Sequence, residues 1–462
     1  MAHNEALPPL RAEDYLDRPY QLRQDLEMLG ALEFEAHASG LYPASALSPQ
    51  MGQQTGMRYD WFRDNAHVGA ALYASGNKQQ GLNVARAMVT VLQDNMPGLN
   101  EVVRDKSSAF RLPVRVDGDT LERDAENRVQ HDSTGYMLWL PSNLMASHAL
   151  RPTAGGLEAM AQTVRYLRSL EYWHDADAGA WEEGERIHAS SIAVVMAGIR
   201  DAQCMFERLN YETAIDFTEL LEYGRYGYQQ IFAQDVTSMP PGNVLPDAPL
   251  PLRETPLSMD TQTSQFLGNF DINKRRYDAA LLFGVAMNVF ESDEARQIVA
   301  DVKARLLRPR GIARYEGDTY WAPGFKELMK PQERTTSAPG RLEMREQVAA
   351  GVAYTGTEAQ WTLFDPLLAV DSAKQYLLSG SGSAFEEHLM FLNRHLSQLE
   401  PQSDGTYKWP EARYYEFAPN RARQKYSLNP NDHTPLLWTQ ANSLYALKYF
   451  AMIATQRKMA TE

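Results

Sequence analysis

The feature that most constrains the fold of this chain is a helical periodicity that recurs along its length. About a dozen segments place apolar residues at positions i, i+3, i+4 and i+7, whereas the alternation of half-buried strands is scarce. No clean linker divides the chain, and no repeat of fixed period is visible, which disfavours a solenoid. The pattern predicts an all-α fold, either a solenoid or helical pairs closed into a toroid.

Four long segments without this periodicity interrupt the helices: residues 96–130, 234–261, 326–347 and 400–434. Structureless loops longer than about 12–15 residues are uncommon in compact domains and are usually functional or disordered. We therefore expect a helical scaffold that presents functional loops.

The composition is that of an ordinary globular protein, because 44% of the 462 residues are hydrophobic and 23% are charged. It excludes a wholly disordered or fibrous chain. The 45 Lys and Arg residues stand against 59 Asp and Glu residues, which gives a net charge of −14. Without a basic stripe, this sign argues against a nucleic acid or an anionic membrane as a partner.

Cysteine usage and the absence of long apolar runs bear on location. The single cysteine, Cys204, excludes an intramolecular disulfide and a Cys-based metal site, and we expect no disulfide-linked partner. The N-terminal segment lacks the apolar stretch of a secretory signal, and no run of about 18 apolar residues occurs. These features predict a cytoplasmic protein without a membrane-spanning segment.

The first candidate site lies in residues 59–65, just before an apolar helical segment. Trp61, Arg63 and Asp64 offer a sugar-like ligand a flat apolar face, hydrogen-bond donors and an acceptor. The alternative is structural, since Asp64 could cap the helix by accepting from its first backbone N–H groups.

The second candidate site is the run Trp181-Glu182-Glu183, ahead of a helix predicted near Ser190. Adjacent carboxylates raise one another's pKa, which a general acid at neutral pH needs, so we expect Glu182 to titrate high beside Glu183 and Trp181. The alternative is a pair of solvated acidic residues in a first helical turn, where the helix dipole favours them.

Two further polar islands are Trp409-Pro410-Glu411 and residues 314–320, which run from Arg314 to Tyr320. Each places loop aromatic residues beside charges. Burial in the core is the commoner fate of such aromatic residues, so each island is weak evidence by itself.

Taken in chain order, these islands resemble glycoside hydrolase family 15, the glucoamylase family, to which the N-terminal part of phosphorylase kinase regulatory subunits is also similar. The resemblance runs from about residue 36 to about residue 450. Residues 61–64 resemble the family's Trp-x-Arg-Asp, residues 181–183 its Trp-Glu-Glu, and residues 314–320 its Arg-Tyr-Pro-Glu-Asp-Thr-Tyr. Residues 128–132 resemble Arg-Pro-Gln-Arg-Asp, residues 409–411 the loop of the general base, and residues 435–441 the Leu-x-Trp-Ser-x-Ala helix.

The resemblance implies an (α/α)6 toroid of six inner and six outer helices, which forms one catalytic domain over residues 36–462 after an N-terminal extension of residues 1–35. It implies that Glu182 is the general acid and Glu411 the general base, about 6.5–9.5 Å apart. No metal or organic cofactor is implied. The implied substrate-binding residues are Trp61, Arg63, Asp64, Arg128, Asp132, Trp181, Glu183, Arg314, Tyr320 and Trp409.

The function that the resemblance implies is an inverting, exo-acting α-glucoside hydrolase that takes an oligosaccharide substrate. It would release β-glucose from the non-reducing end of small α-glucans or isomalto-oligosaccharides. A trehalose hydrolase of the same family and a non-catalytic, sugar-sensing regulatory protein are the alternatives. A protein-binding solenoid is a further alternative that leaves the ordered motifs unexplained. The sequence leaves the linkage open between α-1,4, α-1,6 and α,α-1,1.

Overall fold

The computed structural model describes residues 20–45, 57–124, 129–235, 277–323, 356–417 and 426–461, with a few more between residues 7 and 18 and between residues 325 and 334. In chain order, the described α-helices are α1 (Gln21–Met28), α2 (Phe62–Ala74), α3 (Lys78–Asp94), α4 (Met96–Arg104), α5 (His131–Ala146), α6 (Ala154–Leu170), α7 (Ala189–Arg208), α8 (Phe217–Asp235), α9 (Leu281–Ala286), α10 (Ser292–Asp301), α11 (Phe325–Leu328), α12 (Asp365–Ser379), α13 (Gly382–Leu396) and α14 (Leu437–Thr461). The described strands are β1 (Asp60–Trp61), β2 (Arg115–Val116), β3 (Leu307–Arg308), β4 (Gly311–Ile312), β5 (Gln360–Trp361), β6 (Glu400–Pro401), β7 (Tyr407–Lys408), β8 (Ala412–Phe417) and β9 (Tyr426–Pro430).

Helices α2, α5, α7, α9, α12 and α14 form a closed inner ring. Each packs against the next in this order, and α14 returns to pack against α2. These helices are enclosed on most sides: in α5, every residue except Trp139 and Asn143 is buried. A helix that is apolar around most of its circumference belongs in the interior of a large domain. The closure of the ring excludes an open solenoid.

The outer helices alternate with the inner ones along the chain. Helix α3 packs on α2, α8 on α7, α10 on α9 and α13 on α12, while α6 packs on α3 and α4. Helix α1 precedes the first inner helix and is buried on one side, through Leu22 and Leu26. Arg23 ties it to the end of α2 by donating to the carbonyl of Ser75. The alternation is that of an (α/α)6 toroid, so the predicted all-α fold is confirmed.

Two glycines explain why α5 and α7 approach so closely within the ring. A Cβ on Gly135 would lie 2.7 Å from the carbonyl oxygen of Val194, and one on Gly198 would lie 2.4 Å from the carbonyl oxygen of Gly135. Backbone atoms of a packed helix cannot move aside by that much, so both positions need glycine.

The prediction of long structureless loops is wrong for part of the chain. Residues 96–104 form helix α4, and residues 400–430 contain β6, β7, β8 and β9. Strands β3, β4, β5, β8 and β9 form an antiparallel sheet in this order. Residues 234–261 lie almost entirely outside the described residues, as do most of residues 326–347. The strands of two residues were missed because such short segments cannot show alternation.

The proposed boundary at residue 35 stays a prediction, although Leu22 and Leu26 belong to the same apolar core as the ring. None of the described helices is both long and apolar enough to cross a bilayer.

Candidate active site

The N-terminal ends of the inner helices meet at one end of the ring. Arg63 joins the starts of α2 and α5 through Asp132, and its guanidinium lies 5.6 Å from the ring centroid of Trp438 in α14. Phe283 of α9 packs on Trp438 and on Phe364, which directly precedes α12. Because helix N-termini carry partial positive charge, this end of the ring favours carboxylates.

Arg63 is the centre of this arrangement and is only 3% exposed. Its Nη1 donates to Gln130 at 2.9 Å and to Asp132 at 3.0 Å, and its Nη2 donates to Glu182 at 3.1 Å. Burial by itself lowers the pKa of the guanidinium, but the surrounding carboxylates, Asp132 foremost, hold that pKa above its ordinary value. Arg63 is therefore a fixed cation that positions Glu182.

Asp64 is buried beside Arg63, with one carboxylate oxygen 4.0 Å from Nε of Arg63. Burial raises the pKa of its carboxyl from 3.8 to about 7, Arg63 opposes this rise, and the charge of Glu182 adds to it. The residue at the helix cap position is Trp61, and no side chain makes a cap hydrogen bond there. Asp64 itself stands in the first turn of α2, where its carboxylate accepts a backbone hydrogen bond, so the structural alternative stays a prediction beside the binding role.

The loop before α7 presents Glu182 and Glu183 in opposite directions. Glu182 has a left-handed backbone, with φ of 56°, and its side chain is 29% exposed. A left-handed conformation costs a non-glycine residue about 1–3 kcal/mol and is typical of functional positions. Glu183 is buried and accepts from Tyr315 at 2.8 Å and Arg314 at 3.1 Å. Because α7 begins at Ala189, the alternative of solvated acids in a first helical turn is wrong.

Arg314 lies fully buried under the Glu183 side of this loop. Asp318 accepts from its Nε at 2.6 Å and from its Nη2 at 2.8 Å, so the two side chains form a bidentate pair. The rings of Tyr320, Trp361 and Trp181 surround the guanidinium at 4.8–5.2 Å. Trp181 and Tyr320 are each 3% exposed, so their described role is to enclose Arg314. A contact of either ring with a sugar stays a prediction.

Glu411 is placed by the five-stranded sheet. Ala412 pairs with Trp361, and the amide of Thr362 donates to the carbonyl of Glu411 at 3.2 Å. On the side chain, Oε2 accepts from Asn431 at 2.6 Å and from His433 at 2.8 Å. Among the described residues, Oε1 has no hydrogen-bond partner, and 7% of the side-chain surface remains accessible.

The charges of the two proposed catalytic carboxylates shift the pKa values of the same three groups. The charges of Glu182 and Glu411 both raise the pKa of Asp64, and both contribute to raising the pKa of Tyr320. Both also raise the pKa of His433. Glu182 and Glu411 therefore act on one common pocket, although 229 residues (411 − 182) separate them in sequence.

Aromatic rings pack beside Arg63 at this end of the ring. Trp438 packs on His67 and Phe283, with centroid distances of 4.9 Å and 5.0 Å. Burial lowers the pKa of His67 to about 3, so this imidazole is neutral. Trp61 is 8% exposed, and the guanidinium groups of Arg63 and Arg115 lie 5.8 Å and 4.6 Å from its ring centroid.

Two predicted substrate-binding residues do not fit that role as first stated, and the role of a third stays a prediction. Trp409 has no exposed surface, stacks on His395 at 4.6 Å and donates to its carbonyl at 3.0 Å, so it supports the base loop from inside the core and cannot contact a sugar. Asp132 is 1% exposed and holds Arg63. Arg128 lies outside the described residues.

Sequence reasoning missed five residues that shape the pocket. They are the partners of the predicted residues and one ring beside Arg63, namely Gln130, Asp318, Asn431, His433 and Trp438. Three of them lie inside the motifs at residues 128–132, 314–320 and 435–441, and the signal for Asn431 and His433 was the polar run of residues 429–433. Within the described part of the chain, no group of three or more His, Cys, Asp or Glu side chains could hold a metal ion.

Comparison with known proteins places this site in a family. The sequence profile of glycosyl hydrolases family 15 matches residues 23–306, which is more than half of the chain. No curated protein matches the sequence significantly. A solved structure described as a wild-type glycosidase is 18% identical, with a TM-score of 0.58, over 96% of this chain and 99% of that chain.

Two glucoamylase structures are also similar. The glucoamylase from Saccharomycopsis fibuligera is 13% identical, with a TM-score of 0.52, over 97% of each chain. A bacterial glucoamylase complexed with acarbose is 15% identical, with a TM-score of 0.51, over 91% of this chain and 55% of that chain. At these identities the likeness concerns the fold, whereas the profile match identifies the family. The chain belongs to glycosyl hydrolase family 15, the glucoamylase-like glycosidases.

Proposed function

We propose that this protein is an inverting, exo-acting α-glucoside hydrolase that releases β-glucose from the non-reducing end of small α-glucans or isomalto-oligosaccharides. The observation that carries the proposal is the common pocket of Glu182 and Glu411, since the charges of both act on Asp64, Tyr320 and His433. Inversion requires two carboxyl groups of this kind, one on each face of the scissile bond.

In this mechanism, Glu182 donates a proton to the glycosidic oxygen as the bond from that oxygen to the anomeric carbon breaks. Glu411 accepts a proton from a water molecule whose oxygen forms the new bond to the anomeric carbon from the opposite face. The products are β-glucose and the shortened alcohol, and both carboxyl groups return to their first state by exchanging protons with solvent. The exposed carboxylate of Glu182 suits a group that must reach a leaving oxygen.

Arg63 and Asp64 are proposed to hold the terminal glucose. Asp64 can accept from sugar hydroxyl groups, and Trp61 and Trp438, whose rings both lie beside Arg63, can offer the sugar an apolar surface. Similar folds are described in complex with glucose and with acarbose, which supports a glucose-type ligand here.

The decisive experiment is a screen of maltose, isomaltose, panose, dextran oligomers and trehalose, with glucose release as the readout and NMR of the first anomer formed. We expect β-glucose first, and no turnover by Glu411→Gln. Initial α-glucose would exclude inversion and these roles. Hydrolysis of trehalose alone would favour the trehalose alternative. Sugar binding without hydrolysis of any of these compounds would favour the regulatory alternative.

A further inference from the structure

The carboxylate of Glu411 is held on one oxygen only. Asn431 and His433 both donate to Oε2, at 2.6 Å and 2.8 Å, and both are buried, with 3% and 2% exposure. Because an ionised carboxylate can only accept, Nδ1 of His433 must carry the proton that points at Oε2. The other oxygen, Oε1, has no partner among the described residues.

The backbone pairing that places Glu411 also places these two donors. Strands β8 and β9 pair from Phe417 to Arg413, and the pairing continues beyond the strands. The amide of Asn431 donates to the carbonyl of Ala412 at 2.9 Å, and the amide of Glu411 donates to the carbonyl of His433 at 3.1 Å. The side chain of Asn431 is fixed as well, because its Oδ1 accepts from the amide of Ala412 at 3.3 Å.

We propose that Asn431 and His433 are positioning residues that hold Oε2 of Glu411, so that Oε1 receives the proton of the attacking water, and that His433 does so as an imidazolium. The proposal rests on the proposed function, in which Glu411 is the general base. The positive charge then faces the proposed base in a site that is otherwise rich in carboxylates.

Three carboxylates around His433 favour an imidazolium, although one of them, Asp432, is also paired with Lys326 and with Arg334. Glu411 faces it from the loop before β8, Glu182 from the loop before α7, and Asp432 from its own segment. Burial by itself lowers the pKa of His433, but these three carboxylates raise it above its ordinary value. Lys326 is paired with Asp432 at 2.8 Å, and the neutral ring of Trp321 lies 5.8 Å from the imidazole.

The first test is the pH dependence of kcat/KM in His433→Asn and His433→Leu. Asn keeps a hydrogen-bond donor but cannot carry charge, so we expect the acidic limb to move to higher pH by about one unit or more, because an opposite charge beside the base is lost. The variant His433→Leu loses the donor as well, so its plateau value of kcat/KM should lie at least about tenfold below that of His433→Asn. A purely structural role would lower the plateau and leave the acidic limb in place.

His148→Asn is the matched control. His148 is exposed and lies beyond the far end of α5, a helix of 16 residues and so about 24 Å long. Its backbone is left-handed, with φ of 58°, a conformation that Asn adopts readily. This variant should leave the pH profile unchanged.

A second test is independent of activity. NMR titration of the His433 imidazole in the wild type and in Glu411→Gln should show that the ring stays protonated to a higher pH in the wild type, by about one unit or more. Equal titration in both proteins, or an unmoved acidic limb in His433→Asn, overturns the imidazolium. A wild type that hydrolyses no glucoside overturns the proposed function instead, and the titration then still decides the state of His433.

Discussion

Replacing Asp64 with Asn should make the protein more stable at neutral pH and at the same time inactivate it. Removal from water raises the pKa of this carboxyl from 3.8 to about 7, although Arg63 opposes the rise. Between these two values the unfolded chain has released the proton and the folded protein still holds it. The free energy of unfolding therefore falls as the pH rises through this window, and the whole penalty is present above about pH 7.

The size of the effect follows from the same difference. About three pKa units correspond to about 4 kcal/mol, and we expect about 2–4 kcal/mol to be gained by Asn, which has no charge to bury. Arg63 keeps Asp132 and Glu182 as partners, so the substitution leaves no cation unpaired. The activity is lost because Asp64 is proposed to accept from sugar hydroxyl groups.

The gain in the free energy of unfolding can be measured by urea unfolding of the wild type and of Asp64→Asn at a series of pH values. Circular dichroism follows the unfolding. The difference in the free energy of unfolding should be near zero at about pH 4 and reach its full value at about pH 8. Asp132→Asn is the matched control with the opposite sign, because Asp132 accepts from Arg63 at 3.0 Å. Loss of this charged hydrogen bond should cost about 1.5–3 kcal/mol, because Arg63 keeps Gln130 and Glu182 as partners.

The reasoning is refuted if Asp64→Asn is less stable than the wild type at about pH 8, or if the difference does not depend on pH. A loss of about 0.3–1 kcal/mol would mean that Asp64 serves the dipole of α2, as the structural alternative holds.

Two further outcomes are expected. Glu182→Gln should slow hydrolysis of glucosides with poor leaving groups by about 10²–10⁴-fold in steady-state assays. The same variant should still hydrolyse α-glucosyl fluoride well, because fluoride leaves without a proton. Equal losses on both kinds of substrate would refute the role of Glu182 as the acid. Trp409→Phe removes the hydrogen bond to the His395 carbonyl, so the free energy of unfolding in urea should fall by about 1–3 kcal/mol, while KM stays unchanged. A raised KM would restore the prediction that Trp409 contacts substrate.

The inner helices and the polar islands were accessible from the sequence because each depends on local pattern, whereas closure into a ring was implied only by the family resemblance. Helical periodicity marks the segments, and motifs such as Trp61-Phe62-Arg63-Asp64 are contiguous in the chain. What the sequence could not separate is a buried aromatic residue from one that lines a pocket. Trp61 and Trp409 stand in similar polar motifs, yet the first keeps 8% exposure and the second has none.

The partners of the site residues depend on pairing between distant segments. Asn431 and His433 reach Glu411 only because β8 and β9 pair in one register, and a shift of one residue would turn the side chains to the opposite face. Gln130 and Asp132 reach Arg63 only because α2 and α5 are neighbours in the ring. Neither the register of β8 with β9 nor the packing of α2 against α5 can be read from any single segment of the sequence.

The excess of negative charge in the site disfavours the folded protein, but it can stabilise the transition state of the proposed hydrolysis. Three cations face six carboxylates, an excess of three negative charges (6 − 3) if all are ionised: the cations are Arg63, Arg314 and His433, and the carboxylates are Asp64, Asp132, Glu182, Glu183, Asp318 and Glu411. The N-termini of the inner helices offset part of this excess. Part of the excess remains: burial first, and then the charges of Glu182 and Glu411, raise the pKa of Asp64. A neutral glucoside does not relieve it, whereas an oxocarbenium-like transition state places positive charge among these groups. The unfavourable charge is therefore relieved mainly when the glycosidic bond breaks, and catalysis requires such a difference between ground state and transition state.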